Sequence, residues 1–353
     1  MKKFLIIICF ILILSTSAFA DNEELRSSLP DDAQLLLNGD NLSAEDSQNS
    51  LSKIFGQFKE KIKEAANPAI NRAVSLVLVS VICSVFTVFG DEKGSEYVSL
   101  CGCAAVCMIC ISDFGSYIKI GTETINQISD FSKSMLPAIC AAMASCGMAG
   151  AAAAKYASTA LFMDVLITIA QKLILPLIYA YLALIIASAV FNNKGLAGIT
   201  KLIKWACTAF LTLMALCFTS YLTLSSAIAG SSDAVTMKLA KSALSSTLPV
   251  VGSIMSDAAS SVVAGAEMLK NSIGVFGMLG VLAICAAPFA VIGVNFLMYK
   301  ASAAGAAAFG NSSVSSLIDG IGTAFGMILA LLGSISIILF ISILSCVRMV
   351  SGA

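Results

Sequence analysis

From Ala73 onward the chain alternates long apolar runs with short polar breaks. The runs fall at about 73 to 89, 97 to 112, 135 to 154, 160 to 191, 199 to 229, 273 to 299 and 321 to 347. A stretch of about 20 apolar residues is enough to cross a bilayer as a helix, so the pattern predicts seven spans, within a range of six to eight. Backbone amides in lipid must be satisfied inside each segment, and the alternating ten-residue pattern of an outer-membrane barrel is missing. The expected fold is therefore all-α, a polytopic helical membrane protein.

Two runs exceed simple spanning length. The fourth carries Gln171, Lys172 and Pro176 near its middle, and the fifth begins with Lys201 and Lys204. Proline removes a backbone donor, so the fourth run is expected to kink or break at Pro176. Small residues recur at helical spacings: Gly147 with Gly150 to Ala154, Gly274-Gly277-Gly280, and Gly322 with Gly326 in a G-x-x-x-G pattern. They let helix backbones approach closely, either within the chain or against another subunit.

Ahead of the spans, Lys2 and Lys3 precede an unbroken apolar core from Phe4 to Leu14, then Ala18-Phe19-Ala20 and the polar Asp21. This reads as an export signal cut after Ala20; the alternative is an uncut anchor helix. Residues 21 to 71 form a hydrophilic, exported arm with ten acids against five bases. Within it Leu51, Ile54, Phe55, Phe58 and Ile62 make one apolar helical face beside Lys53, Lys59 and Lys61. Such a helix lies on lipid or packs on the protein's own spans. The predicted domains are thus 1–20 signal, 21–71 arm and 72–353 membrane domain.

Composition narrows the chemistry. Hydrophobic residues make up 58% of the chain and charged residues 12%, with a mean hydropathy of +0.93, whereas a soluble domain carries about 25% charged residues. Histidine is absent and 13 of the 21 acidic residues lie before residue 100, which leaves little for acid–base catalysis within the spans. A Ser-His-Asp triad is impossible, and no phosphate-binding loop, zinc-protease motif or dinucleotide fingerprint is present. No cofactor is expected, and zero net charge gives no sign of nucleic acid.

The twelve cysteines, Cys9 to Cys346, all sit in apolar stretches. Cys103, Cys107 and Cys110 share a helical stripe with Cys101 pointing away. Without histidine or a nearby acid, and with buried thiols resisting deprotonation, packing is favoured over a metal site.

The polar residues of most interest are Asp164, Lys172, Asp257, Glu267, Lys270 and Asp319, because a charge at bilayer depth costs about 2.5 to 3.5 kcal/mol on insertion scales. Glu267 and Lys270 are three apart and can pair on one helix face. Asp164 and Lys172 lie within about 80° of each other around a helix, so they either pair or line a watery pathway opened by Pro176. Orientation stays open: with Asp21 exported and seven spans, Lys194, Lys201 and Lys204 fall on the outer side, against the positive-inside tendency. An interfacial or re-entrant segment around Leu248 to Glu267 would reverse everything after it.

The block Leu248-Pro249-Val250-Val251-Gly252, followed by Ser256-Asp257-Ala258 and by Leu269-Lys270-Asn271, resembles the stage III sporulation protein AE family of endospore-forming bacteria. Met135-Leu136-Pro137 with Met143-Ala144-Ser145-Cys146-Gly147 is similar to a second recurrent segment of that family. The likeness covers most of residues 70 to 350. It implies a non-enzymatic subunit of the channel joining mother cell and forespore, seated in the mother-cell membrane around the forespore and needed for late forespore gene expression. Implied partners are a secretion-type ATPase, ring-forming membrane proteins and a forespore protein docking from the opposite membrane. The family offers no catalytic site to carry over. The competing reading from the residues is a secondary transporter for a small solute, motivated by the interrupted fourth run with Asp164 and Lys172; an intramembrane enzyme comes third.

Overall fold

The computed structural model describes residues 27–37, 44–89, 92–146, 148–191, 194–229, 252–309 and 312–348. The export signal and its cleavage after Ala20 lie outside the described residues. Eight α-helices account for nearly all the rest, with no strand among the described residues. They are α1 (Asp31–Leu36), α2 (Ala44–Phe89), α3 (Glu92–Ser145), α4 (Ala149–Ile169), α5 (Leu175–Phe191), α6 (Lys194–Ala229), α7 (Gly252–Ala308) and α8 (Ser312–Arg348), with a π-helical turn, Ala170–Ile174, joining α4 to α5.

Three of these helices are far longer than a bilayer is thick. At 46, 54 and 57 residues, α2, α3 and α7 extend about 70 to 85 Å, against about 30 Å of hydrocarbon. Contacts fix their directions. Gly102 of α3 sits against Cys83 of α2 and Val314 of α8, while Gly121 meets Ile328, so α3 runs against α2 and along α8. Ser80 Oγ donates to the Ala306 carbonyl at 3.3 Å, which sets α7 parallel to α2. The outcome is an up-and-down bundle in which the ends Phe89/Glu92, Phe191/Lys194 and Ala308/Ser312 point one way, and the start of α2 and the end of α8 point the other.

Six segments are long and apolar enough to cross a membrane, at 49–87, 94–111, 152–191, 195–220, 271–308 and 312–347. The count is one below the central expectation of seven. The run at 135 to 154 is not a span: α3 stops at Ser145, the Met148 N–H returns to the Met143 carbonyl at 3.3 Å, and α4 begins at Ala149. That back-bond is a helix-terminating closure, and the sequence places a single glycine, Gly147, inside it. Hydropathy averaging passes over one glycine among alanines. Losing this crossing moves Lys194, Lys201 and Lys204 to the same end as the α2–α3 connection.

The fourth run does not break at Pro176. It continues from α4 into α5 through the π turn, where the Leu175 N–H bonds to the Ala170 carbonyl. The wider turn comes directly before Pro176, whose missing N–H is the reason a regular ladder fails there. The amphipathic stretch at 51 to 62 is the front of α2, continuous with the first span across residues 71 and 72. Its Ile54 is buried and Leu51 and Phe58 pack on the core, whereas Phe55 is 69% exposed. The Leu248 block enters α7 at Gly252 and is helical from there without interruption to Ala308; residues 248 to 251 lie outside the described residues.

The core lies between α3, α7 and α8. Of the most apolar stretch of α7, 67% is buried, and of α8, 56%, against 17–28% for the other four. Glycines make this possible: an added Cβ at Gly280 would stand 2.5 Å from the Phe131 ring, and one at Gly326 would stand 2.9 Å from Phe296. Gly274 and Gly277 face Val347 and Met135, and Gly322 faces Tyr299 and Lys300. Two of the three small-residue stripes singled out in the sequence, Gly274-Gly277-Gly280 and Gly322 with Gly326, are thus filled from within the chain, whereas Gly150 of the third is exposed.

Candidate functional site

An arginine is the centre of the largest polar cluster among the described residues. Arg72 lies at the foot of the apolar half of α2, and its Nη1 donates to Asp113 Oδ2 at 2.7 Å, to the Tyr117 hydroxyl at 2.7 Å and to Asn295 Oδ1 at 3.1 Å. Tyr299 O–H donates to the same Asp113 oxygen at 2.9 Å, and Asn295 Nδ2 donates to the Val291 carbonyl at 2.8 Å. Three helices contribute: α2, α3 and α7. The fourth, α8, supplies Phe325, whose ring takes Tyr117 and Tyr299 edge-on, each at 5.0 Å, and Phe114 at 5.9 Å.

Helix geometry explains the meeting. Cys83 and Gly102 already touch across the α2–α3 hairpin. Eleven residues farther from the connection on each helix, about three whole turns, the same faces meet again at Arg72 and Asp113. On α7, Asn295 and Tyr299 are four apart and share a face. The side chains of Arg72 and Asp113 are 24% and 13% exposed, and Tyr117, Asn295 and Tyr299 are buried.

No fully buried side-chain nitrogen or oxygen of this cluster lacks a hydrogen-bond partner. The buried side-chain oxygen that lacks one, Gln57 Oε1, is on a distant part of α2. An ion pair so enclosed contributes little net stability over apolar packing, yet removing one partner is costly, so its clearest consequence is to fix helix register.

Smaller polar ties join the remaining helices. Lys155 of α4, 2% exposed, donates to Ser345 Oγ of α8 at 3.1 Å. Lys300 of α7 pairs with Asp319 of α8 at 2.6 Å and donates to Thr323 at 2.8 Å. Gln171 in the π turn donates to Asn126 of α3 at 2.7 Å.

The residues singled out in the sequence are dispersed. Asp164 and Lys172 both lie on the outward face of α4 and the π turn, form no ion pair with each other, and are exposed, as is Pro176. Asp257, Glu267 and Lys270 are on the first turns of α7, with side chains outside the described residues, and Asn271 is exposed. Gly322 and Gly326 serve the α7–α8 contact. Of the polar candidates whose side chains are among the described residues, Asp319 alone enters an interhelical ion pair. Cys101 is exposed while Cys103 and Cys110 are wholly buried, and no group of three or more Cys, Asp or Glu among the described residues is placed to hold a metal ion.

Arg72 and Asp113 escaped the sequence reading because each sits just outside an apolar run, where a charge looks like an ordinary span boundary. Their positions directly flanking the first two apolar runs, before 73 and after 112, were the available signal.

A family model described as stage III sporulation protein AE matches residues 36–350. The stage III sporulation protein AE of Bacillus subtilis (strain 168) is 26% identical over 275 residues, which cover 76% of this chain and 68% of that relative. No solved structure matches.

Proposed function

This chain belongs to the stage III sporulation protein AE family, and on that premise we propose that it is a non-enzymatic integral membrane subunit of the channel complex joining mother cell and forespore, seated in the mother-cell membrane. The observation that carries the reading is the family match along nearly the whole bundle. Supporting it, the central polar cluster is internally satisfied and acts to register helices. A subunit with that design supplies shape and contact surface, and the energy for transport comes from a partner such as a secretion-type ATPase. Ring-forming membrane proteins are the other expected neighbours, with membrane lipid around the spans.

Deleting the gene in its own spore-forming host tests this. The expected result is normal vegetative growth, completed engulfment, loss of late forespore reporter expression and loss of heat-resistant spores, all restored by the intact chain. Normal sporulation in the deletion strain would overturn the proposal.

A further inference from the structure

Outward-facing side chains change character along the bundle, and they do so on several helices. On α2, Ile70, Val74, Leu78, Ile82 and Phe86 are exposed at four-residue intervals, whereas Lys53, Lys59, Glu60, Lys63, Glu64 and Asn67 are exposed nearer its start. On α3, Tyr97, Met108 and Ile111 are exposed, and beyond Asp113 the exposed series is Ser116, Lys119, Glu123, Asn126, Asp130 and Lys133. These steps of three and four make one polar seam along a helix whose other faces are buried. The two helices change over at the same height, marked by the Arg72–Asp113 pair.

The α4–α5 run shows a weaker form of the change, because Leu161 and Val165 are also exposed in its lower part. Leu173, Tyr179 and Phe191 are exposed toward one end, and below them Thr168 and Asp164 alternate with Val165 and Leu161. The apolar bands, at about 70–89, 92–111 and 173–191, each hold roughly 20 residues, or about 30 Å of helix, which is the thickness of a hydrocarbon core. Ile185 stands beside Gly320, six residues along α8 from the Val314–Gly102 contact, so the end of α5 falls about 15 Å short of the start of α3. The bands therefore align on a plane inclined to the bundle axis. The most apolar stretches of α7, within 271–308, and of α8, within 312–347, are mostly covered by protein and need little lipid.

We infer that the membrane crosses only the part of the bundle nearest the three short connections, and that the remainder, including about 50 Å of α3, stands in water as a helical stem on the face bearing both ends of the described chain. The export signal expected at residues 1–20 would put that face outside the cytoplasm, making the seam from Ser116 to Lys133, with its outward Lys119–Glu123 and Asp130–Lys133 pairs, an exported, mixed-charge surface in contact with water. The same orientation puts Lys201 and Lys204 on the cytoplasmic side, where their long stems can reach the interface. The placement in water rests on the side chains and holds whether or not the chain serves the channel.

The test uses the unmodified protein in intact protoplasts, treated with a membrane-impermeant sulfonated amine-reactive ester and read by mass spectrometry lysine by lysine. Lys59, Lys119 and Lys133 are expected to react in intact protoplasts, and Lys201 and Lys204 at least tenfold more after the membrane is opened. As a second measurement, Met108→Cys is expected to gain no adduct from an impermeant maleimide until detergent is added, whereas Glu123→Cys gains one in intact protoplasts. Lys119 and Lys133 silent until detergent is added would place the seam in the membrane and overturn the stem; reaction of both only after opening would put the stem in the cytoplasm and overturn its side. Neither readout depends on sporulation.

Discussion

Arg72 and Asp113, 41 residues apart in sequence, meet at 2.7 Å across the first helical hairpin, and the carboxylate oxygen they share also receives the hydroxyl of Tyr299 from α7. One carboxylate thus holds the hairpin in register with the long helix that begins 139 residues later at Gly252.

Removing either charge leaves the other half-buried without its counter-ion. Arg72→Ala and Asp113→Ala are each expected to cost about 1–3 kcal/mol. The double variant should cost less than the sum, with a coupling of about 0.5–3 kcal/mol. Thermal unfolding of the four proteins in one detergent gives the cycle; additive losses would show that the pair is not a unit.

Tyr299→Phe deletes one donor and keeps the edge-on contact with Phe325. A loss of about 0.5–1.5 kcal/mol is expected, smaller than that of Asp113→Ala in the same unfolding assay. An equal loss would mean that the hydroxyl, and not the charge pair, holds α7 in place.

Glycines at different sites should respond with opposite signs. Gly280→Ala drives a methyl group into the Phe131 ring, an overpacking expected to cost about 1–3 kcal/mol. Gly56→Ala and Gly115→Ala meet nothing within 4 Å and should gain up to about 1 kcal/mol from helix propensity. Unfolding midpoints of the three variants decide the matter.

Asp164 and Lys172 separate the channel reading from the transporter reading. On an outward face, Asp164→Asn and Lys172→Gln should each change stability by no more than about 0.5 kcal/mol and leave the yield of heat-resistant spores unchanged. Loss of spores at normal protein levels would restore the transporter hypothesis.

Hydropathy alone was enough for the fold class, because a backbone in lipid has few ways to satisfy its amides and helices are the one this composition allows. It also located nearly every span. It failed at 135 to 154, where the run ends one helix and begins the next: residues 135 to 143 are mostly buried in the protein, and Ala149, Gly150, Ala153 and Ala154 at the start of α4 are exposed. A window average records apolarity, and burial in lipid and burial in protein look the same to it.

The polar residues divide in the same way. Sequence could rank Asp164 and Lys172 as charges within an apolar run and Asp319 as one beside a run, since the cost of such a charge depends on its neighbours along the chain. It could not find that Arg72 reaches Asn295, 223 residues away, nor that Lys155 is enclosed beside Ser345.

By itself, then, the sequence determined that the chain forms long membrane-seeking helices and resembles the stage III sporulation protein AE family. Tertiary structure decided which apolar faces meet protein, where the span count drops to six, and which charges become partners. Helix formation follows from local hydrogen bonding and side-chain polarity, whereas partner choice follows from the register between helices, and register is a property of faces brought together from distant parts of the chain.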